Sequence, residues 1–439
     1  MLKTESINKQ IFRLSIPNII SNFSVPLLGA VDTALMGRLD NKLYLGALGI
    51  GSILFSFIYW GFGFIRMAST GLTAQAYGED NPKECGLLLQ RSIGIGIICS
   101  LLLVVLQWFL ADVSFILMTA SPEVEKLTRT YFHIRIYAAP AALCLHAFHG
   151  VFLGLQNAKY PMVLTVSVNI VNIVLNIVFV IFLGMKIEGV AYATVVAQYV
   201  GLILAGIMFA FRYRHLITTW NLSIILEPSQ LRRLLSISSD IFIRTLCLIF
   251  SQAYFMARSA ALGDTVLAIN TILLQYIYLL AYAIDGFAFA AESMIGKYKG
   301  SKDMLNLKRT TQLIFLWSFL FGGTFMLVFI VYSRELLTVF TDKELLIEQA
   351  APYLIWIVIA PIVNVAAYIW DGIFLGATAS KPLRDSMILT MVVFLIAAHL
   401  LAPYGNHGLW GALTVFLVSR GVALTILSRK HLFKSSQNV

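Results

Sequence analysis

Asp32 lies in the run NFSVPLLGAVDTALMG, Asn22 to Gly37, with apolar residues on every side and Pro26 six positions earlier. A charge at the centre of a bilayer costs about 2.5–3.5 kcal/mol, so such an acid has either a partner or a task. No basic residue is near it in sequence. A carboxylate without a cation in a low-dielectric cavity favours its neutral form and can gain and lose a proton near neutral pH. Pro26 removes a backbone hydrogen bond from the same helix, which can then bend or straighten as Asp32 changes charge. The alternative is that Asp32 is permanent polar glue between helices.

Other polar residues stand at helical spacing in apolar surroundings. In VSVNIVNIVLNI, Asn169, Asn172 and Asn176 fall at i, i+3 and i+7 and line one helical face. Thr194 and Gln198 follow on the next apolar segment. This set offers donors and acceptors to Asp32 or to a substrate, or serves polar packing. In SSDIFIR, Asp240 and Arg244 at i and i+4 are expected to form an ion pair on one helix. Asp285 and Glu292, seven apart, share a face. Asp285 and Asp371 either line a cavity or support helix packing, and Arg66 is expected to neutralise one of these acids. His146 and His149 lack further ligands at metal spacing. Cys85, Cys99, Cys144 and Cys247 have no metal spacing and read as small hydrophobes. No catalytic constellation, metal site or cofactor is expected, and the chain does not read as an enzyme.

The elements that position these residues follow from composition. Of 439 residues, 59% are hydrophobic and 12% charged, with mean hydropathy +0.82. Soluble domains carry about a quarter charged residues. Apolar stretches of about 20 residues recur throughout, so the bilayer is the expected solvent. The first segment continues into a patterned helix without a small-residue cleavage site, unlike a removable signal peptide. Twelve helices are predicted, over 11–37, 45–76, 90–118, 128–155, 160–184, 188–211, 233–262, 266–295, 309–340, 347–376, 384–403 and 408–428. The net charge of +10 is spread over short loops, which argues against nucleic-acid binding. About twenty Lys and Arg fall in one set of alternating loops against about eight in the other. The richer set, with both termini, is expected in the cytoplasm.

The chain also contains itself twice. GVFLG at Gly150–Gly154 returns as GIFLG at Gly372–Gly376, an offset of 372 − 150 = 222. YFHIRIYAAP from Tyr131 parallels YLIWIVIAP from Tyr353, and AYGEDNPKE from Ala76 parallels YKGSKDMLN from Tyr298. The expected architecture is therefore all-α: two pseudo-symmetric six-helix bundles around a central cavity. Residues 1–215 form the N-lobe, 216–232 a cytoplasmic linker and 233–439 the C-lobe. The apolar patch LSIIL in the linker is expected to lie on the cytoplasmic surface. Two parallel repeats around a cleft point to alternating-access secondary transport. No GxxxxGK phosphate loop is present, which argues against nucleotide-driven transport.

SNFSVPLLGAVDTALMGRLD, GLTAQAYGEDNP, AYAIDGFAFAAES, DGIFLGAT and GNHGLWGALTVFLVSRG together resemble the multidrug and toxic compound extrusion (MATE) transporters, and within them the DNA-damage-inducible (DinF-like) branch. The resemblance runs from about Asn8 to Arg429. It implies a bacterial inner-membrane protein exporting cationic or amphipathic organic compounds in exchange for protons or sodium. It implies that Asp32 of the VDT motif is the coupling acid, with Asn172 and Thr194 as polar partners, and that helix 1 bends at Pro26. One position departs: the family's helix 5 usually reads N-x-x-x-D, and here the second position is Asn176. Losing that acid favours protonation of Asp32 over sodium binding, or moves the coupling site toward Asp240, Asp285 and Asp371. A monomer with membrane lipid and small organic substrates as its only partners is expected. A lipid-linked sugar flippase of the same superfamily would need a cationic groove for pyrophosphate, and Arg66, Arg135, Arg244 and Arg420 are dispersed in sequence. A non-transporting receptor or scaffold would carry a soluble signalling domain, and none is legible.

Overall fold

The computed structural model describes residues 6–37, 42–117, 121–217, 222–225 and 227–433. Every regular element among them is helical. Twelve helices are long and apolar enough to cross a bilayer. They are α1 Ile7–Gly37, α2 Leu43–Gly78, α3 Pro82–Val105, α4 Pro122–Gly154, α5 Lys159–Phe182, α6 Ile187–Arg212, α7 Pro228–Ala261, α8 Asp264–Gly300, α9 Met304–Val331, α10 Glu344–Gly376, α11 Ser380–Leu400 and α12 Ala402–His431.

Two of the expected spans divide into a membrane span and a separate helix after it. The run predicted as one helix over 90–118 is α3 followed by a separate helix, Gln107–Leu117. The run over 309–340 is α9 followed by Ser333–Phe340. Hydropathy stays high across both junctions, so no sequence boundary shows. Side-chain chemistry marks the first one: Gln107 Nε2 donates to the Val104 carbonyl at 2.9 Å and satisfies a C-terminal acceptor. At the other end α3 starts earlier than expected, at Pro82. Asn81 caps it by accepting from the Glu84 N–H at 3.1 Å, with proline in the first turn.

The helices gather into two compact units, Ile20–Ser238 and Met1–Ile19 together with Ser239–Val439. Both boundaries fall within helices, α1 and α7. In the second unit the Phe12 ring packs on Phe287 and Trp317, at centroid distances of 6.3 and 4.7 Å. Trp317 Nε1 donates to Asn8 Oδ1 at 3.1 Å. In the first unit the short helix Leu222–Ile225 is gripped by α3. Buried Arg91 donates to the carbonyls of Ile225 and Ile224 at 3.1 and 3.2 Å, and to Glu84 at 2.6 Å.

The internal repeat has a physical basis in how helices cross and end. A Cβ on Gly150 would sit 2.5 Å from the Arg66 carbonyl, and one on Gly154 2.9 Å from that of Thr70. Gly372 and Gly376 meet the carbonyls of Ala288 and Glu292 in the same way. Both pairings of the first repeat recur in the second at the 222-residue offset. Glycines four apart thus let α4 lie against α2, and α10 against α8, at a distance only small residues allow. The loop after each crossing partner repeats too. Asp80 and Lys302, at φ 53° and 57°, occupy the left-handed position after α2 and α8. Asn81 N–H then bonds back to the Ala76 carbonyl, and Asp303 N–H to that of Tyr298, both at 2.9 Å. Gln156 and Thr378, at φ 62° and 49°, do the same after α4 and α10. Four non-glycine residues in this region are costly, and their pairwise recurrence shows one design used twice.

Candidate functional site

The polar face predicted on α5 forms, and it faces α1. Asn176 Nδ2 donates to Asp32 Oδ1 at 2.6 Å and to Asn172 Oδ1 at 2.7 Å. Asn172 Nδ2 donates to Thr194 Oγ1 on α6 at 3.0 Å, and Thr194 Oγ1 donates to the Val190 carbonyl. Hydrogen bonds therefore connect the α6 backbone to Asp32 through Thr194, Asn172 and Asn176, with Asn176 giving the acid its donor. Asn172 and Asn176 are buried, while Asp32 is half-buried. Gln198 is half-buried and takes no part in that chain.

Asn176 Oδ1 is buried with no hydrogen-bond partner. An orphaned buried acceptor costs free energy unless another state of the site uses it. Turning the amide over exchanges donor for acceptor, and the acceptor suits a protonated Asp32. α5 widens into a π-helical stretch, Ile177–Phe182, directly after Asn176. Such turns loosen a helix where function needs it.

Asn169 takes a different partner, donating to the Ser24 carbonyl and hydroxyl at 3.1 and 3.0 Å. Ser24 lies two residues before Pro26, and Asp32 six after it. α5 thus braces α1 on both sides of the proline, while α1 itself remains helical from Ile7 to Gly37. From Asn22 to Leu35 every residue of α1 is half-buried or exposed. A few polar bonds rather than packing hold this part of α1.

The premise that Asp32 has no cation needs correction. Arg135 of α4 lies within electrostatic reach of it, 103 residues away in sequence (135 − 32). The Arg135 guanidinium stands 4.7 Å over the Phe55 ring and donates to the Tyr131 hydroxyl. Neither Ser24 as the partner of Asn169 nor Arg135 as a neighbour of Asp32 is singled out by the sequence. A signal existed for Arg135: it is a charge in YFHIRIYAAP where the second repeat has Ile357.

The second unit is built differently. The i, i+4 ion pair expected between Asp240 and Arg244 gives way to interhelical bonds. Asp240 accepts from Arg384 at 2.6 Å and Ser380 at 2.7 Å, both on α11. Arg244 donates to Asp371 Oδ2 on α10 at 2.5 Å, and Arg420 of α12 donates to the same oxygen. Asp285 is close enough to Arg420 to act on its charge. Arg66 stands near His146 and His149. The positions 222 residues after Asp32, Asn172 and Asn176 hold Tyr254, Phe394 and Ala398. Phe394 lies in an apolar cluster with Phe416, Cys247 and Met387, and Tyr254 and Ala398 pack against it. Where the first repeat keeps a polar chain, the second is greasy. Among the described residues no group of His, Cys, Asp and Glu could hold a metal ion.

Twelve apolar helices in two repeats define a multi-pass membrane protein. The chain belongs to the MatE family, the multidrug and toxin extrusion transporters, whose profile matches twice, over residues 17–178 and 241–403. It is 35% identical over 433 residues to DNA damage-inducible protein F of Escherichia coli (strain K12), covering 97% of this chain and 93% of that protein. It is 25% identical to human multidrug and toxin extrusion protein 1, covering 92% of this chain and 72% of that one. Its fold matches an outward-facing multidrug resistance MATE family transporter of the MOP superfamily with a TM-score of 0.88, at 18% identity over 97% of this chain and 96% of the other.

Proposed function

We propose that this chain is a proton-coupled antiporter of the bacterial inner membrane, with both termini in the cytoplasm, exporting amphipathic organic compounds by alternating access. The carrying observation is the bond between Asp32 and Asn176 together with the orphaned Asn176 Oδ1. Charged Asp32 takes the amide donor, and neutral Asp32 takes the amide acceptor. The exchange repolarises the chain through Asn172 to Thr194 and alters the grip of α5 on α1. Substrate and proton then favour different states of the Ile20–Ser238 unit, and exchange follows from negative coupling between the two bindings.

Sodium coupling is the weaker reading. A sodium ion prefers several oxygen ligands carrying net negative charge, and here one carboxylate is bonded by the Asn176 amide with Arg135 nearby. In the second unit Asp371 is held by two arginines and Asp240 by Arg384, which makes both poor sodium ligands. Dye efflux from proteoliposomes under imposed gradients tests the proposal. A proton gradient is expected to drive efflux and a sodium gradient at constant pH to leave it unchanged; the reverse result overturns it.

A further inference from the structure

Arg244, Asp371 and Arg420 come from three helices of the second unit and meet on one oxygen. Arg420 is 1% exposed, Arg244 4% and Asp371 8%. Burying charges this deeply is expensive, and hydrophobic replacements of such triads are often as stable, so stability alone is a weak reason to keep one. Its hydrogen bonding is also incomplete. Both guanidinium groups donate to Asp371 Oδ2, whereas Asp371 Oδ1 is buried without a partner, and so is Arg420 Nε. Two positive charges thus converge on one carboxylate oxygen, with Asp285 acting on Arg420 from α8.

The cluster borders accessible space. The Asp371 side chain keeps 12% of its surface, and Asp285 and Tyr368, which act on the charge of Arg420, are half-buried. Planar guanidinium groups are matched to carboxylates, which they hold through paired charge-assisted bonds. A single shared oxygen leaves the Arg420 fork under-used.

We propose that the Arg244–Arg420 pair is a subsite for the anionic group of an amphipathic substrate, a carboxylate or sulfonate, with Asp371 as a built-in stand-in that the substrate's anion displaces. This deepens the export reading and rests on it for the word substrate. The binding itself needs no gradient and no working coupling acid. Selectivity follows from the same geometry: the arginines attract the anion, and Asp371 competes with it when none is present.

Equilibrium binding to the detergent-purified full chain tests this, read by fluorescence polarisation with three dyes on related ring systems. Carboxyfluorescein is the anion, its methyl ester, which carries one negative charge fewer, the control, and tetramethylrhodamine ethyl ester the cation. The unaltered protein is expected to bind carboxyfluorescein at least about tenfold tighter than the ester, the worth of one charge-assisted bond. Equal affinities overturn the subsite. Asp371→Asn frees the arginines and is expected to tighten carboxyfluorescein binding about tenfold while leaving the cationic dye unchanged. Arg420→Lys keeps the charge but loses the fork, and is expected to weaken the anion alone. If Asp371→Asn does not yield folded protein, the Arg420→Lys result and the ester comparison still decide. Loss of thermal stability with unchanged dye preference makes the triad structural and sinks the proposal. Asp32→Asn is expected to shift absolute affinities through the coupling of proton and substrate binding but to keep the preference for carboxyfluorescein over its ester, so failed coupling and a failed subsite are told apart.

Discussion

Asn176 gives Asp32 a hydrogen bond at 2.6 Å through one side of its amide, while the other side is buried without a partner. The pair is thus built for one protonation state and half-equipped for the other. Replacing Asp32 with Asn fixes the neutral form. We expect Asp32→Asn to fold normally and to abolish efflux driven by a proton gradient. Retained pH-driven efflux in proteoliposomes would remove Asp32 from the coupling step.

Asn176→Asp puts a second acid beside Asp32, as the resemblance leads one to expect at this position. Two carboxylates so close favour a shared cation. The variant is expected to gain a dependence on sodium that the parent lacks, read as efflux under a sodium gradient at constant pH. Asn176→Ala instead removes the donor to the acid, a bond worth about 1.5–3 kcal/mol to a charged group, and should impair coupling without affecting expression.

Gly150 tests the crossing of α4 on α2. A methyl group there would sit 2.5 Å from the Arg66 carbonyl, and backbone cannot step aside cheaply. We expect Gly150→Ala to cost about 1–3 kcal/mol by overpacking, measured as thermal unfolding in detergent. A methyl group at Gly29 of α1 would meet no heavy atom within 4 Å, so Gly29→Ala is the control and should be neutral or stabilising by about 0.5–1 kcal/mol.

Asp80 and Lys302 occupy the left-handed region at equivalent helix ends, and both are exposed. Glycine adopts that conformation without a Cβ penalty. Asp80→Gly and Lys302→Gly are each expected to stabilise the protein by about 1 kcal/mol. Unequal effects of opposite sign in thermal unfolding would contradict the equivalence of the two loops.

The spans were legible because hydropathy in a bilayer leaves little choice, and the duplication because glycines four apart and the loops after α2 and α8 obey strict geometry. Asn172, Asn176 and Asp32 were legible as buried polar groups at helical spacing. Local rules failed where distant partners won. Asp240 and Arg244 satisfy the i, i+4 rule on one helix, yet each finds an oppositely charged group on another helix. Arg135 escaped as a neighbour of Asp32 because folding, not sequence proximity, brings α4 to it. The break after Val105 escaped because a side-chain cap on an apolar run leaves no mark in hydropathy.

The chain up to Ile19 clusters with Ser239–Val439 rather than with the helices that follow it. Ile11 and Leu14 are fully covered there. A gene cut at the loop after α6 would therefore hand the front fragment a helix whose opening turns find their mates in the rear fragment. Neither fragment would be self-sufficient, and co-expressed halves should reconstitute by complementation where each alone is degraded.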